Sequence, residues 1–168
     1  DRARARDFNW LFTTHKIPPH EGQHVQDQYF EFTDWLGVPH EPIEWGIGPW
    51  DSEREWQREF YAPIERPAVP IVVATSKEEK DWAPERWAEV CDALDRDFGL
   101  QPILVGGRSP RELHAESVIM EQAKSKPLSA LGSGLRKLVS IFDGATLVLS
   151  PDTGPLHKGC PCISACST

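Results

Sequence analysis

The chain has 168 residues, of which 39% are hydrophobic and 26% charged, and its formal net charge is −8. That length holds one ordinary domain, or one domain plus a piece of another. No apolar run approaches the roughly 18 residues of a membrane span, no signal-peptide core is visible, and the acidic sum argues against nucleic acid as a partner. The cytoplasm is the default compartment. Charge is unevenly spread: residues 1–65 carry 6 Lys+Arg against 13 Asp+Glu, whereas residues 66–168 carry 12 against 13. An anionic ligand therefore belongs to the second part.

In chain order, Phe8, Trp10, Leu11 and Phe12 form a short apolar run that reads as an edge strand, and His15-Lys-Ile-Pro-Pro-His20 breaks regular structure. Val25, Tyr29, Phe32 and Leu36 fall at helical spacing within residues 23–36, with Gly37 and Pro39 as the stop. Residues 38–50 read as a linker. A second short helix is expected over Asp51–Tyr61, ended by Pro63. Five of the seven tryptophans lie before residue 57, which suits a small packed helical cap or part of an acceptor-binding surface.

After Arg66-Pro67 strands and helices alternate. Ile71–Thr75 reads as a buried strand and Ser76–Trp82 as a polar loop. Pro84 opens a helix with the apolar stripe Trp87, Val90, Cys91, Leu94 and Phe98, closed by Gly99. Pro102–Val105 is the next strand, followed by Gly106-Gly107. Ser109 and Glu112 have capping-box spacing at the start of a helix running toward Met120. Leu135, Leu138, Val139 and Phe142 mark a further helix ending at Gly144, and Thr146–Leu149 suits a strand buried on both faces. The order β-α-β-α-(α)-β implies a parallel sheet and a Rossmann-like α/β domain.

Two loops then fall at carboxyl ends of strands, where open α/β sheets bind ligands. Thr75-Ser-Lys-Glu-Glu-Lys80 offers hydroxyls and the Lys80 ammonium. Asp152-Thr-Gly-Pro-Leu-His157 offers an acceptor at Asp152, a hydroxyl at Thr153, close backbone approach at Gly154 and a ring nitrogen at His157. Together these are what a pyrophosphate requires. Plainer readings exist: Lys80 as a solvated charge beside Glu78, Glu79 and Asp81, and Asp152 or Thr153 as a helix cap. No Gly-x-Gly-x-x-Gly, Gly-x-Ser-x-Gly or Walker loop occurs, so a nicotinamide cofactor is not indicated. His157, Cys160, Cys162 and Cys166 crowd together, but without a second separated ligand pair they do not make a zinc site; neither metal nor cofactor is expected.

Ala74–Trp82 followed by Pro84-Glu-Arg-Trp87, then Gly106-Gly107, then Ser150–His157, in that order and spacing, resembles glycosyltransferase family 9, the ADP-heptose:lipopolysaccharide heptosyltransferases. The resemblance is strong over residues 66–157 and looser over 8–65. It implies a fragment of a GT-B glycosyltransferase: residues 66–168 as a truncated Rossmann-like donor domain, and residues 1–65 as the mostly helical end of the acceptor domain plus linker. It further implies that Thr75, Ser76 and Lys80 attend the donor diphosphate, that Asp152, Thr153, Gly154 and His157 form the second donor loop, and that Glu112 contacts the nucleotide or sugar, although a capping box explains Glu112 equally. The implied partners are an ADP-heptose-like nucleotide-sugar and a lipid-linked saccharide acceptor, the latter bringing peripheral contact with the inner face of the inner membrane. The family's catalytic carboxylate, near the start of its first domain, has no counterpart, so the catalytic residue is unassigned. Lys158–Thr168 departs from the family pattern and reads as a truncated or out-of-frame end. A non-catalytic nucleotide-sugar-binding remnant is the alternative, and a nucleotide-sugar epimerase a more distant one.

Overall fold

The computed structural model describes residues 7–39 and 46–152. Contacts divide the chain into two units, one ending at Trp45 and one beginning at Gly46.

In the first unit the run at 8–12 is a single 3-10 turn over Asn9–Leu11, correcting the expected edge strand. Asp7 and Phe8 both take left-handed backbone angles, which cannot continue a strand. Helix α1, Val25–Trp35, forms as its periodicity predicts, with His24 Nδ1 accepting from the Gln26 amide at 3.3 Å as N-cap. Its apolar positions Val25, Tyr29 and Phe32 nevertheless stay exposed, while Glu31 is buried and receives a hydrogen bond from Gln23.

The second unit is three-layered. Helix α2, Asp51–Tyr61, leads into β1, Ala68–Val72; α3, Pro84–Phe98; β2, Gln101–Val105; α4, Pro110–Gln122; β3, Leu128–Ser129; and α5, Leu135–Asp143. The sheet is parallel in the order β1-β2-β3, with Ala68 opposite Gln101, Val72 opposite Val105 and Ile103 opposite Leu128. Alternation then separates two cores. Val69, Ile71, Val73 and Leu104 face Trp87, Cys91, Leu94, Ala115 and Ile119 of α3 and α4. Ala68, Val72, Ile103 and Val105 face Ile141 and Phe142 of α5, with Trp56, Phe60 and Tyr61 of α2 packed alongside.

Local chemistry sets the helix ends. Pro84 occupies the first turn of α3, and Gly99, at φ 64°, closes it with its amide on the Asp95 carbonyl. Gly144 follows the last residue of α5, and a Cβ there would stand 2.4 Å from the Tyr61 ring. Helix α2 is tied to α5 by Gln57 donating to Ser140 O at 2.8 Å and by the Tyr61 hydroxyl donating to Ile141 O. Arg136 donates to both oxygens of Glu53 at 2.6 Å and to Ile47 O at 2.8 Å, and stacks over Trp50. Phe98, expected in the stripe of α3, is exposed at the helix end.

Two strand expectations need correction, and one strand has no counterpart among them. Strand β1 runs from Ala68 to Val72 rather than 71–75, because Pro70 is accommodated inside it and the chain turns into the polar loop at Thr75. Strand β3 carries no apolar run and was not anticipated; its exposed residues lie along β2, and the pairing continues as Ala130 N donates to Leu104 O and Gly132 N to Gly106 O, each at 2.9 Å. Thr146–Leu149 is not a strand buried on both faces: it meets β1 at an isolated parallel bridge, Ile71 with Leu149, and Leu147 is exposed. Pro70 supplies a reason. Its carbonyl accepts from the Leu149 amide, so the N–H that proline lacks would also have faced this segment, and the ladder is interrupted there.

Candidate functional site

The segment at 146–149 lies beyond β1 on the side opposite β2, so the chain moves outward through β1, β2 and β3 and then returns to the other flank of β1. The carboxyl ends of β1 and of that returning segment border the point where strand order reverses, the place where open α/β sheets form a ligand crevice. There Lys80 and Asp152 meet, Nζ to Oδ2 at 2.8 Å, with Lys80 about half exposed and Asp152 largely so.

A cavity of about 540 Å³ opens at the carboxyl ends of β1, β2 and β3. Its walls come from the ends of all three strands: Ala74, Thr75 and Ser76 after β1; Gly106, Gly107, Ser109, Arg111 and Glu112 after β2; and Ala130, Gly132 to Leu135 and Leu138 after β3. The glycines are spaces for neighbours. A Cβ on Gly106 or Gly107 would meet the Glu112 carboxylate at 2.9 or 2.8 Å, and one on Gly132 would meet Arg108 Cδ at 2.4 Å. One side is therefore apolar, with Leu135, Leu138 and Ala130, and the other hydroxyl-rich around one carboxylate.

Glu112 is a capping residue and a cavity residue at once. Its Oε1 accepts from Gly107 N at 2.5 Å and its Oε2 from Ser109 N at 2.8 Å, while Ser109 Oγ accepts from Glu112 N at 3.3 Å. Burial, the largest single influence, would raise its pKa. The hydrogen bonds from Ser109 and Gly107 and the nearby Arg111 outweigh it together, and the carboxyl lies below its ordinary value and stays ionised.

The loop after β1 is cross-linked by its own side chains. Thr75 is buried; its amide and hydroxyl both donate to Asp81 Oδ1, at 2.6 and 2.9 Å, and the same hydroxyl lies 2.6 Å from Lys77 O. A hydroxyl carries one proton, so it serves one of these acceptors at a time and is engaged within the loop. Ser76 is exposed and lines the cavity. Asp81 also pairs with Arg111, which donates a further bond to Thr75 O at 3.2 Å. Trp82 packs edge-on against Trp87, ring centroids 4.8 Å apart, fixing the loop's far end.

The structure thus brings Thr75, Ser76 and Glu112 to one cavity and pairs Lys80 with Asp152, neither of which lines it. Thr153, Gly154 and His157 lie outside the described residues, as do Cys160, Cys162, Cys166 and the tail to Thr168. Among the described residues no three His, Cys, Asp or Glu side chains are grouped to hold a metal, and no helix is long and apolar enough to cross a membrane. Sequence reasoning missed Asp81 and Arg111: one stood in a run of charges, the other inside a capping box, and 30 positions separate them. Nothing local signalled the pair.

Comparison with known proteins agrees with this geometry. A profile of glycosyltransferase family 9 (heptosyltransferase) matches residues 1–158. The lipopolysaccharide core heptosyltransferase OpsX of Haemophilus influenzae is 29% identical over 165 residues, 95% of this chain and 47% of its own length. A solved glycosyl transferase family 9 from Veillonella parvula superposes with a TM-score of 0.73 at 26% identity, over 88% of this chain and 43% of that one. E. coli heptosyltransferase WaaC, solved with ADP and with ADP-2-deoxy-2-fluoro heptose, superposes with a TM-score of 0.61 at 22% identity, over 90% of this chain and 46% of its own. The chain spans about half the length of these relatives.

Proposed function

The chain belongs to glycosyltransferase family 9, and from that premise we propose that it forms the nucleotide-sugar-binding part of an inverting GT-B heptosyltransferase, one that moves a heptose from an ADP-sugar to a lipopolysaccharide inner-core acceptor. The observation that carries the reading is the 540 Å³ cavity at the carboxyl ends of the parallel strands, whose wall includes Thr75 and Ser76 of the loop that also bears Lys80. That volume lies within the usual range for small-molecule sites. Its apolar side suits a nucleobase, and the ionised Glu112 beside it suits a ribose diol, which donates two hydrogen bonds. Lys80, at the crevice edge, then supplies positive charge to the diphosphate. Ser76 is the available hydroxyl, and Thr75 serves by shaping the turn. Thr153, Gly154 and His157 complete the diphosphate loop in this reading, which for them rests on sequence. That WaaC was solved with ADP and an ADP-heptose analogue supports the ligand class.

We assign residues 66–168 to the donor domain and residues 1–65 to the end of the acceptor domain and linker, with α2 docked on the donor side. In the reaction, a base from the acceptor-binding part deprotonates the acceptor hydroxyl, and Lys80 with backbone amides stabilises the leaving diphosphate. The proposed setting is the cytoplasm, peripheral to the inner face of the inner membrane through the acceptor. The 168 residues alone are proposed to bind the donor weakly and not to transfer it, because an open crevice leaves each ionic contact screened by water. Calorimetric titration with ADP tests this. Binding near millimolar, at about −4 kcal/mol, is expected, together with a clear loss in Lys80→Ala. Equal affinity in wild type and Lys80→Ala would return Lys80 to a solvated charge, and heptose transfer by the 168 residues alone would refute the division of labour.

A further inference from the structure

Asp81 makes more contacts at the crevice than any ligand-facing role requires. Its Oδ1 takes the Thr75 amide and hydroxyl, at 2.6 and 2.9 Å, and its Oδ2 takes the Arg111 guanidinium, whose other arm reaches Thr75 O at 3.2 Å. The first contact closes the loop 75–81 on itself. The second bolts that closed loop to the N-terminal turn of α4, where the next residue is Glu112. Lys80 sits on the 3-10 turn immediately before Asp81, with its amide on Lys77 O at 3.0 Å. Two side chains of opposite chemistry, a cation after β1 and a carboxylate after β2, are thereby held at a fixed relative position by one brace.

The burial pattern agrees with a brace rather than a surface ion pair. Asp81 is 20% exposed and Arg111 37%, and Thr75, between them, is 8% exposed. A partly buried carboxylate that loses its cation is left with an uncompensated charge, so the arrangement is all-or-none in a way exposed pairs are not. Arg111 also lines the cavity, and its charge offsets the two carboxylates, Asp81 and Glu112, that flank it. The amides of Gly107 and Ser109, just before α4, are taken by the Glu112 carboxylate, and the Glu112 amide by Ser109 Oγ. In the donor reading the loop after β1 supplies the cation for the diphosphate, Lys80.

We infer that Asp81 is a positioning residue of the donor site: with Arg111 it fixes the Thr75–Lys80 loop against α4, and Lys80 acts on the diphosphate only while that brace is in place. The inference rests on the donor-binding reading above and deepens it. ADP is titrated by calorimetry into wild type, Lys80→Ala, Asp81→Ala and the double variant, with the melting temperature of each recorded. Lys80→Ala is expected to weaken ADP about tenfold in the wild-type background and less than about twofold in the Asp81→Ala background. Asp81→Asn, which keeps an oxygen for the Thr75 amide but loses the charge facing Arg111, should fall between wild type and Asp81→Ala. If Asp81→Ala does not fold, Arg111→Ala, which removes only the α4 end of the brace, replaces it in the same cycle. A Lys80→Ala effect of equal size in both backgrounds, whatever happens to the melting temperature, overturns the positioning role and leaves the donor reading standing. Absence of ADP binding in the wild type overturns the donor reading, and this inference with it.

Discussion

The two flanks of β1 are built differently. Toward β2 the strand is paired residue for residue from Ala68 to Val72, with both faces of the ladder buried under helices. Toward 146–149 it makes an isolated bridge, has a proline where a donor would stand, and meets a segment whose Leu147 is 45% exposed. The cavity opens at the carboxyl ends of the paired flank, and the Lys80–Asp152 pair stands at the end of the seam. A three-strand wall thus carries the glycine-lined cavity, and a lightly joined seam carries Asp152 to Lys80. The two sets of candidate residues therefore stand on parts of the sheet that differ in how completely they are paired.

The largest test of that contrast is core truncation. Ile103→Ala, fully buried in the paired flank, is expected to cost about 2–5 kcal/mol in urea denaturation, whereas Leu147→Ala at the seam should cost less than about 1 kcal/mol. Comparable losses at both positions would erase the distinction. Acid titration probes the polar supports of the wall. Glu112 is held below its ordinary value of 4.5, with burial opposing and the hydrogen bonds from Ser109 and Gly107 prevailing. Glu53 is held below 4.5 as well, first by its hydrogen bond to Arg136 and then by the Trp50 amide. Folded values depressed below unfolded ones contribute stability that is present above about 4.5 and lost as pH falls through the folded values. Glu112→Gln should therefore reduce the acid sensitivity of the melting temperature, and an unchanged acid profile would contradict the assignment. Smallest of all, Asp152→Asn should change stability by less than about 1 kcal/mol, since its pair with Lys80 is exposed.

Much of this was legible in the residues. Pro84 and Gly99 bracket α3, Ser109 and Glu112 cap α4, and the runs at 102–105 and 135–142 gave a strand and a helix where they are found. The order of elements led to the parallel α/β sheet. What escaped was decided by tertiary context. The two residues of β3 are exposed and form a strand because β2 offers an edge, not because their composition demands one. The apolar run at 146–149 looked like a buried strand, yet a single residue of its neighbour, Pro70, governs how far it pairs. At the site, Glu112 caps α4 as its spacing predicts and also lines the cavity. The Asp81–Arg111 brace lay beyond reach because 30 positions and two elements separate its halves.

The central claim is that the crevice after β1 and β2 receives an adenine nucleotide-sugar, and an NMR titration of isotope-labelled protein with ADP tests it most directly. Amide resonances of Ser76, Lys80, Gly107 and Glu112 should move together along one saturation curve, while those of residues 7–39 stay in place. Shifts confined to residues 7–39, or none at Lys80 and Glu112 on saturation, would contradict it.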